Sequence, residues 1–154
     1  MPSPIEELEL QLTAEEPDYS ALAQLGPNIV AELRTLVRTA SVAVASKATS
    51  LAGFIGGPDA LRVIEEAAKH PDPRVRIAAA GAIAHYPSPP SPLVLKLLRD
   101  PHASVRMRTL KSANASSSPE VKVEVEALAV KDPDDGVRRA ARESIGETPP
   151  IKFR

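Results

Sequence analysis

Three histidines, an aspartate-rich turn, a glycine-rich stretch and a few clustered serines are the residues of this 154-residue chain whose types could do chemistry. His70, His85 and His102 could hold a metal or move a proton, but a metal site needs convergent ligands with a second shell behind them. No histidine here has a ligand-type residue four positions further along a helix. Asp132-Pro133-Asp134-Asp135-Gly136, with Glu143 eleven positions after Asp132, has the outline of a calcium loop. It fails at the demanding places: position two is Pro133, Val137 stands where the loop needs glycine, and Arg138 and Arg139 add positive charge. A helix N-terminus whose carboxylates complement the helix dipole accounts for the same residues. Gly53-Phe54-Ile55-Gly56-Gly57-Pro58 lacks the Gly-Lys-Ser/Thr ending of a phosphate loop and reads as a helix end followed by a new start. Ser112 and Ser116–Ser118 have no histidine or lysine arranged to activate them. Glu120 with Glu124, and Glu65 with Glu66, read as carboxylates of a solvated outer face. No catalytic, metal-binding or cofactor-binding residue is expected.

The elements that position these residues can be read from the prolines. Sixteen of them would break long helices, yet they punctuate short ones. Asp72-Pro73, Ser91-Pro92 and Ser118-Pro119 each set a capping side chain before a proline at the first helical position, where the missing amide costs no intrahelical bond. Between them the apolar residues recur at helical spacing: Leu61, Ile64 and Ala68 share a face, with Glu65 and Lys69 as an i,i+4 pair elsewhere. The predicted helices pair as 28–39 with 42–54, 58–69 with 73–86, 91–99 with 103–115, and 119–130 with 134–146. Short connections within pairs require antiparallel neighbours. Residues 5–12 and 18–25 form short acidic helices expected to cover the first pair.

The pairs repeat. His70-Pro71-Asp72-Pro73-Arg74-Val75-Arg76, Asp100-Pro101-His102-Ala103-Ser104-Val105-Arg106 and Asp132-Pro133-Asp134-Asp135-Gly136-Val137-Arg138 share the pattern x-Pro-x-x-x-Val-Arg. A step of similar length back from Val75 lands on Val44, in a segment with the right small apolar face but neither the proline nor the arginine. Terminal repeats of an array depart from the pattern in this way. Val44, Val75, Val105 and Val137 are therefore expected at equivalent buried sites.

This pattern at this spacing resembles HEAT repeats, particularly the short bacterial type also seen in phycobilin lyase-like proteins. The resemblance covers residues 28–147 and implies an all-α fold: an α-solenoid of about four helix pairs, with an N-terminal helical cap at 1–27 and a tail at 148–154. It further implies a hydrogen-bonded ladder between successive repeats, made by Asp100 and Asp132 with Arg76, Arg106 and Arg138; His70 stands where the first Asp would be. The fold hosts scaffolds, adaptors, lyase-like chaperones and glycosylases alike, so it does not settle function.

Composition narrows the classes. With no cysteine, disulfide frameworks, thiolate zinc sites and cysteine nucleophiles are excluded. Aromatics are 3%, too few for the walls of a chromophore cleft or for stacking bases, and a net charge of −1 gives no overall basicity toward nucleic acid. The first ten residues, MPSPIEELEL, have no basic or apolar leader pattern, and a cytoplasmic protein is expected. Charge is uneven: residues 1–77 hold 7 basic and 11 acidic side chains (net −4), residues 78–154 hold 12 and 9 (net +3). The resemblance places the second helices on the inner, concave surface, where Arg108, Lys111, Arg139 and Arg142 would form a free basic stripe. The expected function is a non-catalytic protein–protein interaction module, scaffold or adaptor whose partner presents an acidic surface. The alternatives are nucleic-acid binding and a lyase-like protein handling a small ligand. The acidic beginning and basic end also allow head-to-tail self-association, and Ile151 and Phe153 of the tail could fold back or insert into a partner.

Overall fold

The computed structural model describes residues 1–114 and 118–146; the expectations for Ser116, Ser117 and the tail fall outside them. All regular structure among the described residues is helical. The chain divides into two compact units, Met1–Pro87 and Ser88–Arg154.

The first unit holds α1 (Pro4–Leu12), α2 (Tyr19–Ala23), α3 (Val30–Thr39), α4 (Val42–Ile55), α5 (Gly57–Ala67) and α6 (Pro73–Ala82), with short 3-10 turns at Gly26–Ile29 and Ile83–His85. A capping box starts α1: the Ser3 amide donates to Glu6 Oε2 at 2.6 Å and the Glu6 amide returns to Ser3 Oγ at 3.4 Å. At the centre lies α4, which packs on α2, α3, α5 and α6 and carries Val44, Ala45, Ala48, Leu51 and Ala52 into the core. Its small side chains let α6 approach closely. A Cβ built on Gly53 would stand 3.0 Å from Ala82 Cβ and from His85 Cδ2. Gly56 (φ 72°) then ends α4 in a conformation that only glycine adopts without strain, and Pro58 follows in the first turn of α5. The N-terminal helices pack as expected on the first pair, α1 on α3 and α4, α2 on α4.

The second unit holds α7 (Ser91–Leu98), α8 (Ala103–Ser112), α9 (Pro119–Lys131) and α10 (Asp135–Ser144). Each hairpin packs internally, α7 on α8 and α9 on α10, and the two stack first helix on first helix and second on second. Leu93, Val94, Leu97, Leu98, Val105, Leu110, Val121, Val125 and Val137 fill the space between them.

The four repeat valines, Val44, Val75, Val105 and Val137, are all buried, each near the start of a second helix. Two local expectations need correction. Ser91 is the first residue of α7 and not its cap; Pro90 takes that place with no side-chain hydrogen bond. Asp72 and Ser118 do cap, accepting from the amides of Arg74 and Val121. Glu65 and Lys69 form no ion pair, because α5 ends at Ala67 and Lys69 lies beyond it.

Candidate functional site

The repeated x-Pro-x-x-x-Val-Arg turn is a small hydrogen-bonded device. In each copy Arg Nη1 reaches back to the carbonyl six residues earlier: Arg76 to His70 at 2.9 Å, Arg106 to Asp100 at 2.8 Å, Arg138 to Asp132 at 2.6 Å. The first residue of the motif accepts from the amide two positions on, at 2.9 Å for both Asp100 and Asp132. His70 does the same through Nδ1, at 3.0 Å to the Asp72 amide. A histidine thus replaces aspartate because its ring nitrogen offers the same acceptor. The third residue caps the helix: Asp72, His102 and Asp134 accept from the amides of Arg74, Ser104 and Val137. Two of the three histidines are therefore held in turn geometry.

Arg106 also reaches the next turn. Its Nε and Nη2 donate to Asp132 Oδ2 and Oδ1 at 2.8 and 2.9 Å, with the arginine 8% and the aspartate 5% exposed. Burial pushes the Asp132 carboxyl up, but the Arg106 hydrogen bonds, the Asp134 amide and the charges of Arg106 and Arg138 outweigh it and hold it below the usual range. Asp134 is the cap of α10 and Asp135 pairs with Arg138. Each carboxylate of the calcium-like turn is thereby engaged within the fold.

A second set of charges, which the sequence reading assigned to solvation, joins successive first helices. Glu66 of α5 accepts from Arg34 Nε at 2.5 Å and from Arg38 Nη2 at 2.9 Å, both on α3. Glu124 of α9 accepts from Arg99 at the end of α7 at 2.9 and 3.1 Å. Burial raises the Glu66 pKa, and the two arginines more than reverse it. The signal was present in sequence as opposite charges about one repeat apart on equivalent helices.

The four cations expected to be free stand on the second helices of the second unit. Arg108 and Lys111 lie one turn apart on α8 and are exposed; Arg139 is exposed and Arg142 half-buried, one turn apart on α10. The two helices pack together, with Ser144 Oγ donating to Leu110 O at 3.2 Å. None of the four has a carboxylate at ion-pair distance among the described residues, whereas Arg34, Arg38, Arg74, Arg99, Arg106 and Arg138 all do. Register divides them. Aligning the motif copies sets Arg139 on Met107 and Arg142 on Leu110, the side of α8 that faces α10. The α10 cations thus point to the side away from α8.

The aromatics, scattered in sequence, are partly gathered. Tyr19 of α2 stacks on Phe54 of α4 with centroids 5.3 Å apart, Phe54 meets His85 at 4.6 Å, and Tyr86 Oη donates to Gly57 O. Nothing in the sequence pattern foretold that cluster, since it depends on how α2 docks.

Paired antiparallel helices built on a recurring proline–valine–arginine turn define the class: an all-α helix-pair repeat protein. The HEAT repeats family model matches residues 62–146, more than half of the chain, and the protein belongs to that family. The match is to HEAT repeats as such and does not single out the phycobilin lyase-like type. No curated protein matches the chain. No helix among the described residues is long and apolar enough to cross a membrane.

Proposed function

We propose that this HEAT-repeat protein is a non-catalytic interaction module that docks an acidic surface of another protein through Arg108, Lys111, Arg139 and Arg142. One observation carries the reading: these four cations, on two packed second helices, have no carboxylate partner among the described residues, in a chain that pairs most of its other arginines. Repeat proteins of this kind bind partners along the surfaces their stacked helices present, so unpaired charge there is available for encounter and register. In the same reading residues 1–27 are an acidic helical cap on the 28–147 array.

The test is capture from a native cell extract treated with nuclease, comparing wild type with Arg139→Glu/Arg142→Glu. A protein partner retained by wild type and lost by the double reversal supports the reading. Recovery of nucleic acid alone in untreated extract, or a co-purifying small ligand with no protein, overturns it.

A further inference from the structure

We infer that the outer face of α9 is a self-complementary docking surface on which a second copy of this chain packs, α9 against α9, antiparallel about a two-fold axis. The observation begins with register. Leu98 of α7 and Val130 of α9 hold equivalent positions in successive repeats; Leu98 is 0% exposed in the second unit, whereas Val130 is 73% exposed. α7 packs against α9, and no further first helix among the described residues follows α9. On α9 the outer face around Val130 is open. It carries Val123, itself 64% exposed, with exposed Ala127 one turn on and Val130 one turn further. Successive exposed apolar residues in one stripe are the pattern of a helix that packs on another helix.

The flanks say which helix. At 100° per residue Glu120 and Lys131 lie on one side of the stripe, and Lys122 and Glu126 on the other. All four are exposed and without an ion-pair partner among the described residues, unlike Glu124, which Arg99 holds. Antiparallel pairing about an axis perpendicular to both helices brings each flank against its own counterpart. An axis level with Val125 sets Val123 over the second copy's Ala127. It brings Glu120 within about one residue, ~1.5 Å of rise, of the second copy's Lys131, and Glu126 within about two residues, ~3 Å, of its Lys122. A parallel two-fold arrangement would set each flank against the opposite one and bring only Glu120 close to the second copy's Lys122, leaving Lys131 about five residues, ~7.5 Å, from its Glu126. One helix thus offers both the apolar stripe and the opposite charges that such a stripe needs, and the two-fold contact closes as a dimer, whereas a head-to-tail contact would grow into open chains. These residues are separate from the four cations proposed above, so the two readings stand or fall independently.

Sedimentation equilibrium of the full chain over a wide concentration range tests the proposal, with helical circular dichroism and thermal melting as controls on each variant. Wild type is expected to reach twice the chain mass and stop there. Val130→Glu, at an exposed site, should leave the melt unchanged and abolish the dimer. Lys122→Glu sets a carboxylate against the second copy's Glu126 twice per dimer and should weaken association by about tenfold. Adding Glu126→Lys to it restores opposite charges across the axis, leaves opposite charges at i,i+4 spacing in the helix, and should bring the dimer back. The proposal is overturned by a monomer at every concentration, whether residues 147–154 or another protein takes the face. It is equally overturned by mass growing past the dimer, by a dimer indifferent to Val130→Glu, or by a double reversal as weak as the single one.

Discussion

Arg106 and Asp132 illustrate how much one residue pair can hold when both ends are out of water. The guanidinium has three partners: two carboxylate oxygens of Asp132 and the Asp100 carbonyl. Asp132→Ala leaves a buried cation with one of them. Denaturant titration should show a loss of about 1–3 kcal/mol, between the cost of an unsatisfied hydrogen-bonding group and that of a broken buried ion pair. Asp100→Ala should fall in the same range, because Asp100 is buried and its Oδ1 accepts the His102 amide in the turn. Unchanged midpoints for both would mean the turns are held by backbone and packing alone. His70→Asp should be nearly neutral, since either side chain can accept from the Asp72 amide; a loss as large as that of Asp132→Ala would contradict that equivalence.

Elements are joined by close approach as much as by apolar area. Gly53 lets α4 lie against α6, and Gly53→Ala sets a methyl 3.0 Å from Ala82 Cβ and 3.2 Å from Ala82 Cα. Alanine improves helix propensity by about 1 kcal/mol, while overpacking costs ~1–3 kcal/mol, so a net destabilisation of about 1 kcal/mol is expected in chemical unfolding. Gly136→Ala meets Met107 Cε at 2.8 Å, a nominally tighter contact, but with the free end of a flexible side chain. It should cost less than Gly53→Ala despite the shorter distance, and the reverse order would show that α8 and α10 are the more rigidly packed pair. Ser118→Ala removes the side-chain acceptor of the Val121 amide at the start of α9 and should cost about 1 kcal/mol.

For the whole molecule, charge pairing sets the response to pH and salt. Glu6, Glu66, Asp72 and Asp132 all have lowered pKa values, Asp72 to about 2 through its hydrogen bonds with Arg74. A carboxylate lowered in the folded state contributes stability that is present above its unfolded pKa of about 4 and is lost as pH falls through the folded value. Melting temperature should therefore be insensitive to these four groups near neutrality and drop below pH ~4. Burial raises Tyr19 and Tyr86 instead, so their contribution is present below pH ~10 and is lost as pH rises beyond it. Arg139→Glu/Arg142→Glu should leave the melt within about 0.5 kcal/mol of wild type, as surface changes generally do. Partner capture should weaken most at low salt, where unscreened charges act furthest.

The sequence by itself determined the all-helical class, the helix pairs and the buried places of Val44, Val75, Val105 and Val137. Those features rest on short-range physics: a proline tolerated only at a helix start, a cap satisfying a nearby amide, an apolar side chain recurring once per turn. The same reasoning singled out Arg108, Lys111, Arg139 and Arg142 as charges expected to be free. It misjudged Glu66 and Glu124, because whether a carboxylate is solvated or paired depends on a helix some 25–32 residues away. Tertiary structure alone decided that, along with the Tyr19–Phe54–His85 stack, the different sides of α8 and α10 on which the cations stand, and the open face of α9. Each is a matter of which surfaces meet, and local spacing carries no record of the neighbour that excludes the water.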